Sequence, residues 1–121
     1  MNKRVLRPIR GLLSVLIGFG IVVAPGLANA STQWVADKVR NVYPQGDGSF
    51  IIVFVTLQPS CPSASSPQYF YVSPGQNGAN ADGVKGMLAT TLTAFATGTK
   101  ITVAFDNATS YCYVNRLSLG D

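Results

Sequence analysis

In this 121-residue sequence the side chains best placed for recognition chemistry are tyrosines. Tyr69 and Tyr71 stand two apart, and so do Tyr111 and Tyr113. Residues two apart on a strand point to one face, so each pair sets two flat rings side by side, each ending in a hydroxyl that can donate or accept a hydrogen bond. That combination suits recognition of a sugar or a peptide. The same spacing also serves a strand that fills a core, and the alternation alone does not say which face is buried. Acid and base chemistry is poorly supplied. There is no His and no Glu, which excludes a Ser-His-Asp triad, a Cys-His dyad and a histidine-bound metal. Asp47, Asp82 and Asp106 read as turn or cap residues, too scattered for a carboxylate pair. The sequence therefore reads as non-enzymatic, with no catalytic residue, no metal site and no cofactor.

A second candidate is the stretch Ser73 to Gly83 (SPGQNGANADG). It offers small side chains and amides ahead of a helix N-terminus, where unpaired NH groups favour anions. The plainer reading of such a loop is a solvent-exposed connection, and no Lys-Ser or Lys-Thr follows its glycines as a phosphate cradle requires.

The formal charge of +4 belongs to one end of the chain. Lys3, Arg4, Arg7 and Arg10 precede the apolar run Leu12 to Ala24, and Pro25-Gly26 leads to Ala28-Asn29-Ala30. This is the layout of a cleavable signal peptide over residues 1–30, cut after Ala30. Its 13-residue apolar run would rise about 20 Å as a helix, short of the roughly 30 Å of a bilayer core, so no membrane association is expected after cleavage. The protein is expected to be periplasmic or secreted. In residues 31–121, Lys38, Arg40, Lys85, Lys100 and Arg116 balance Asp37, Asp47, Asp82, Asp106 and Asp121, so the net charge is zero. Nucleic-acid binders draw affinity from clustered cations, and no nucleic-acid partner is expected here.

Cys61 and Cys112 are the chain's two cysteines, and an even number in an exported domain reads as a disulfide. Closing 51 residues should stabilise by about 4 kcal/mol in the chain-entropy model. A domain of this size buries a modest share of its surface, so that staple matters.

The elements that must position these residues follow from periodicity. Trp34 to Tyr43 ends in alternation, with Val39, Asn41 and Tyr43 on one side and Arg40 and Val42 on the other, and Pro44 to Gly48 is a turn. Phe50 to Leu57 (FIIVFVTL) reads as a strand covered on both faces. Pro59 to Pro67 should be an exposed loop pinned at Cys61, and Gln68 to Ser73 a third strand. Val84, Met87, Leu88, Thr91, Leu92 and Phe95 recur at helical spacing, with Asn80 or Asp82 as N-cap and Gly98 as the left-handed stop. Gly83 and Gly86 in the first turns point to close backbone approach or to fraying. Ile101 to Phe105 and Ser110 to Leu119 complete five strands, the last with a phase conflict that a bulge near Asn115 would resolve. Three strands, a helix and two strands is the order of an OB-fold, a mainly β, five-stranded Greek-key barrel with its helix between strands three and four. Residues 31–121 form one such domain.

The block Leu92 to Leu119 (LTAFATGTKITVAFDNATSYCYVNRLSL), with the preceding YFYVSPG, resembles the C-terminal half of B subunits of subtilase-cytotoxin-type bacterial toxins and of small exported bacterial proteins that share that domain. The resemblance implies an OB barrel, a homo-oligomeric ring and a role in binding sugars on host glycoproteins. It carries no binding residue over to this chain. The functional expectation is an exported binding module for a glycan or protein, with Tyr69, Tyr71, Tyr111 and Tyr113 as its ligand-binding residues. The alternative is a small periplasmic structural or inhibitory protein that docks Pro59 to Pro67 or Ser73 to Gly83 into a partner.

Overall fold

The computed structural model describes residues 31–120, so the signal expected over residues 1–30, its cleavage point and Asp121 lie outside the described residues. Within them the expected order appears: β1 (Thr32–Pro44), β2 (Phe50–Phe54), β3 (Phe70–Val72), α1 (Ala81–Thr97), β4 (Lys100–Asp106) and β5 (Val114–Leu119). The strands pair antiparallel in one sheet of order β3-β2-β1-β4-β5. The sheet is open in this order. Its two edges meet through a hydrogen bond of 3.1 Å from the Tyr71 amide to the Tyr111 carbonyl, just ahead of β5.

Bulges in β1 and β5 decide which residues face the core. Val39 and Val42 are three apart and would face opposite ways in a regular strand. The register slips between Val39 and Asn41, with Val39 opposite Phe54 and Val42 opposite Ile52, so both valines turn inward and Arg40 is the extra residue. The single alternation expected for Val39, Asn41 and Tyr43 is corrected accordingly, because Asn41 and Tyr43 face away from Val39. In β5, Val114 pairs with Phe105 and Arg116 with Ala104, leaving Asn115 as the extra residue. The bulge expected there is present, and it lets Val114 and Leu117 both face the core.

Phe50, Ile52, Phe70, Val72, Ile101, Val103, Phe105 and Val114 are fully buried. Phe70 is central, with its ring edge-on to Phe54 at 5.0 Å and to Phe105 at 4.9 Å. On β2 the outward residues Ile51 and Val53 are also buried, so this strand is covered on both faces, and it ends at Phe54 rather than Leu57. Helix α1 is capped by Asn80, whose side chain accepts from the Gly83 amide at 2.8 Å, and it stops at left-handed Gly98 (φ 70°). It buries Val84, Thr91 and Ala94. Leu92 and Phe95, expected on the same face, are exposed, because the buried arc leans toward Met87 and Ala94 and leaves them at its margin. A side chain at Gly86 would meet nothing within 4 Å, so that glycine marks no close approach. The buried Thr91 hydroxyl is satisfied by the Met87 carbonyl at 2.7 Å. Cys61 and Cys112 form the expected disulfide, both buried, with Cα atoms 5.9 Å apart. No helix among the described residues is long and apolar enough to cross a membrane.

Candidate functional site

The register of the sheet settles which way the tyrosines point. Tyr43 lies opposite Ile51, and Ile51 lies opposite Tyr71. Directly opposed residues share a face, and this row alternates with the core row of Val42, Ile52 and Phe70. The tyrosines therefore occupy the outer face of the sheet. Ile51 is only 5% exposed although it faces outward, as expected for a side chain flanked by tyrosines on both neighbouring strands.

Tyr69, Tyr71, Tyr111 and Tyr113 come together in one cluster. Tyr71 is the hub, with ring centroids 6.1 Å from Tyr69, 5.2 Å from Tyr111 and 6.4 Å from Tyr113, each edge-on. Tyr111 and Tyr113 stack at 5.3 Å, and Tyr43 extends the cluster by meeting Tyr69 at 5.9 Å. All five tyrosines of the chain thus form a continuous aromatic surface. Tyr43 was not among the expected site residues, since its outward direction depends on the bulge at Arg40. Tyr111 and Tyr113 were expected on strand five, but β5 begins at Val114. They flank Cys112, whose backbone is left-handed (φ 49°), and this turn sets the two rings side by side.

The neighbouring loops fix that segment. The disulfide ties Cys112 to the Pro59–Pro67 loop, and the Tyr113 carbonyl accepts from the Asp106 amide at 3.0 Å and from the Asn77 side chain at 2.7 Å. Burial raises the Tyr113 phenol above its ordinary value of 10.0, with the Tyr111 and Tyr71 phenols adding to the effect, so its neutral form is favoured. Beside the rings is an open cleft of about 190 Å3 lined by Ser63, Ala64, Ser65, Ser110, Tyr71 and Tyr111. It carries aromatic faces and hydroxyls and no charged group. Hydroxyls with a ring face match the alternating OH and CH surface of a sugar.

A polar network holds the loop that forms one wall of this cleft. Asp37 accepts from the Thr56 amide at 2.9 Å, the Thr56 hydroxyl at 2.7 Å and the Gln58 side chain at 3.1 Å. Gln68 accepts from the Gln58 amide at 2.9 Å and donates to the carbonyls of Gln58 and Cys61 at 3.0 and 3.1 Å, standing in for a strand pairing. Burial pushes the Asp37 carboxyl up, but the hydrogen bonds from Thr56 and Lys38 and the charge of Lys100 outweigh it and leave it below its ordinary value. The contacts of Asp37 with Thr56 and Gln58 join residues 19 to 21 apart and have no signature in spacing.

The second expected site is not built for an anion. Asn80 already takes the Gly83 amide, and Asp82 stands in the first turn of α1. The loop closes on itself through Gln76 to Ser73, Ala79 to Gln76 and Gly75 to Ala79 hydrogen bonds of 2.7 to 3.1 Å. Among the described residues no group of three or more His, Cys, Asp or Glu side chains gathers as a metal site would require.

No family model and no curated protein matches the chain. Solved structures do. A cholera toxin-like B subunit from Citrobacter freundii superposes with a TM-score of 0.56 at 16% identity, covering 77% of this chain and 88% of that one. The fold is that of toxin B subunits. Human heat-labile enterotoxin, solved with a blood group A antigen analog, matches this B-subunit fold with a TM-score of 0.53 at 20% identity over 78% of this chain and 88% of its own. The porcine Escherichia coli heat-labile enterotoxin B-pentamer, solved with lacto-N-neohexaose, gives 0.53 at 18% over 84% and 100%. The resemblance expected from Leu92 to Leu119 is thus met at the level of fold, and the B-subunit likeness extends over most of the described residues.

Proposed function

We propose that this chain is an exported, non-enzymatic binding module that holds a glycan against Tyr71 and Tyr111 in the cleft formed with Ser63, Ser65 and Ser110. The observation that carries this reading is the outer-face tyrosine cluster. An aromatic surface of five rings beside three hydroxyls is more than the sheet needs to cover Ile51, and exposed aromatic groups of this kind mark recognition sites. Support comes from the B-subunit fold, two examples of which were solved with a blood group antigen analog and an oligosaccharide. On this reading residues 1–30 direct export, the sheet closes as an OB barrel across the Tyr71 to Tyr111 bond, and the module assembles as a homo-oligomer as the porcine B-pentamer does. The docked-loop reading through Ser73 to Gly83 loses ground, since that loop is closed on itself while the tyrosines face outward.

The test is a glycan array probed with the oxidised protein spanning residues 31–121, beside its Tyr111→Ala variant. Tyr111 is 48% exposed, so its removal should leave folding intact. Binding to a discrete set of glycans that falls at least tenfold in Tyr111→Ala supports the proposal. An array blank for both proteins, or equal binding by both, refutes it.

A further inference from the structure

The Ser73 to Gly83 loop is not built for an anion, yet one of its side chains reaches the tyrosine segment. Asn77 donates its side-chain NH to the Tyr113 carbonyl at 2.7 Å, and among the described residues this is the one hydrogen bond between that loop and the Tyr111 to Tyr113 segment. The residue that follows is glycine, and Asn77-Gly78 is the only Asn-Gly pair in the chain. Both stand in the left-handed region, Asn77 at φ 52° and Gly78 at φ 80°. Asn77 is half-buried, whereas Gly78 is exposed. Among the described residues the Gly78 amide donates to no acceptor, and glycine has no Cβ to keep a neighbouring group away from that nitrogen.

We propose that Asn77 is a site of spontaneous deamidation whose product unfastens the tyrosine segment, so that the protein carries a slow chemical clock beside its aromatic surface. The Gly78 amide nitrogen, on losing its proton to hydroxide, attacks Cγ of Asn77. The new N–C bond closes a five-membered succinimide as the Cγ–Nδ2 bond breaks, and the leaving nitrogen takes a proton from water and departs as ammonia. Water then opens the ring at either carbonyl and leaves aspartate or isoaspartate at position 77. Water is the only co-reactant. The bond to Tyr113 must lift before Cγ can swing over the Gly78 nitrogen, so opening of the loop sets the pace and the folded chain ages more slowly than an unfolded one. The product is incompatible with the contact it replaces. A carboxylate only accepts, so the donor facing the Tyr113 carbonyl becomes a negatively charged acceptor. Tyr113 keeps the Asp106 amide at 3.0 Å but loses its tie to the loop.

The experiment incubates the oxidised 31–121 protein at neutral and mildly alkaline pH, folded and in urea. Ion-exchange chromatography separates the products, and peptide mapping by mass spectrometry locates the change. A species with one added negative charge should accumulate, faster at the higher pH and faster in urea, and map to position 77. It should be absent from Asn77→Gln, whose longer side chain does not close a five-membered ring. The species formed by the folded protein should keep its far-UV ellipticity and lose part of its tyrosine signal in near-UV circular dichroism, and Asn77→Asp should show the same loss. Absence of the acidic species from the folded protein, or its assignment to another asparagine, overturns the site. An acidic species that keeps the parent's near-UV spectrum overturns the unfastening. Neither readout involves a glycan, so the proposal stands or falls apart from the binding function above.

Discussion

Replacing Cys61 and Cys112 together by alanine should cost stability and the tyrosine surface at once. The bridge spans 51 residues, and the chain-entropy relation assigns such a loop about 4 kcal/mol of denatured-state restriction. Against this stands Cys112 itself, held at φ 49°, a left-handed conformation that costs a side-chain-bearing residue about 1 kcal/mol and that can relax once the bond is gone. A net loss of about 3 kcal/mol remains, which for a domain of this size lowers the melting temperature by about 15 °C. Because Tyr111 and Tyr113 flank Cys112, the tyrosine signal in near-UV circular dichroism should weaken even at temperatures where far-UV ellipticity still reports a folded chain. Thermal unfolding followed at both wavelengths is the assay. A variant that melts within about 3 °C of the parent, or that keeps the parent's near-UV spectrum while folded, would refute the reasoning that the disulfide positions the site.

Other consequences follow from single groups. Phe70→Ala removes a fully buried ring that contacts Phe54 and Phe105 and should cost about 3 to 5 kcal/mol in urea unfolding. The depressed Asp37 carboxyl stabilises the fold above its unfolded pKa, and that contribution is lost as pH falls through the lower folded value; Asp37→Asn should flatten this acid limb in denaturation midpoints measured against pH. The Tyr113 phenol is raised, so its contribution is complete below the unfolded value of about 10 and is lost as pH rises through the folded one. Tyr113→Phe should remove a phenol that titrates above the ordinary tyrosine value from the tyrosinate absorbance curve.

Much of the architecture was legible because its signals are local. The β-branched run Phe50 to Phe54, the Asn80 cap and the Gly98 stop each depend on a few adjacent residues, and the mismatch of Val114 with Leu117 announced the bulge at Asn115. The matching bulge at Arg40 leaves no such signal, because Val39, Asn41 and Tyr43 alternate plausibly without it, and the outward direction of Tyr43 is hidden for the same reason. The four expected tyrosines do gather, but the face they occupy depends on the pairing of Tyr43, Ile51 and Tyr71 across three strands, which no spacing within one strand encodes. The Asp37, Gln58 and Gln68 network was invisible for a similar reason, since its partners are brought together by the fold. The helix face was only half legible, because periodicity gives the phase of a stripe and the sheet chooses which part of it is covered.

The most direct measurement of the central claim uses protein with its five tyrosine rings isotopically labelled, titrated with the strongest glycan from the array. Binding through the outer face should move the Tyr71 and Tyr111 ring signals most, with Tyr43, farthest along the chain of ring contacts, moving least. Saturable binding that leaves Tyr71 and Tyr111 unmoved would contradict the account.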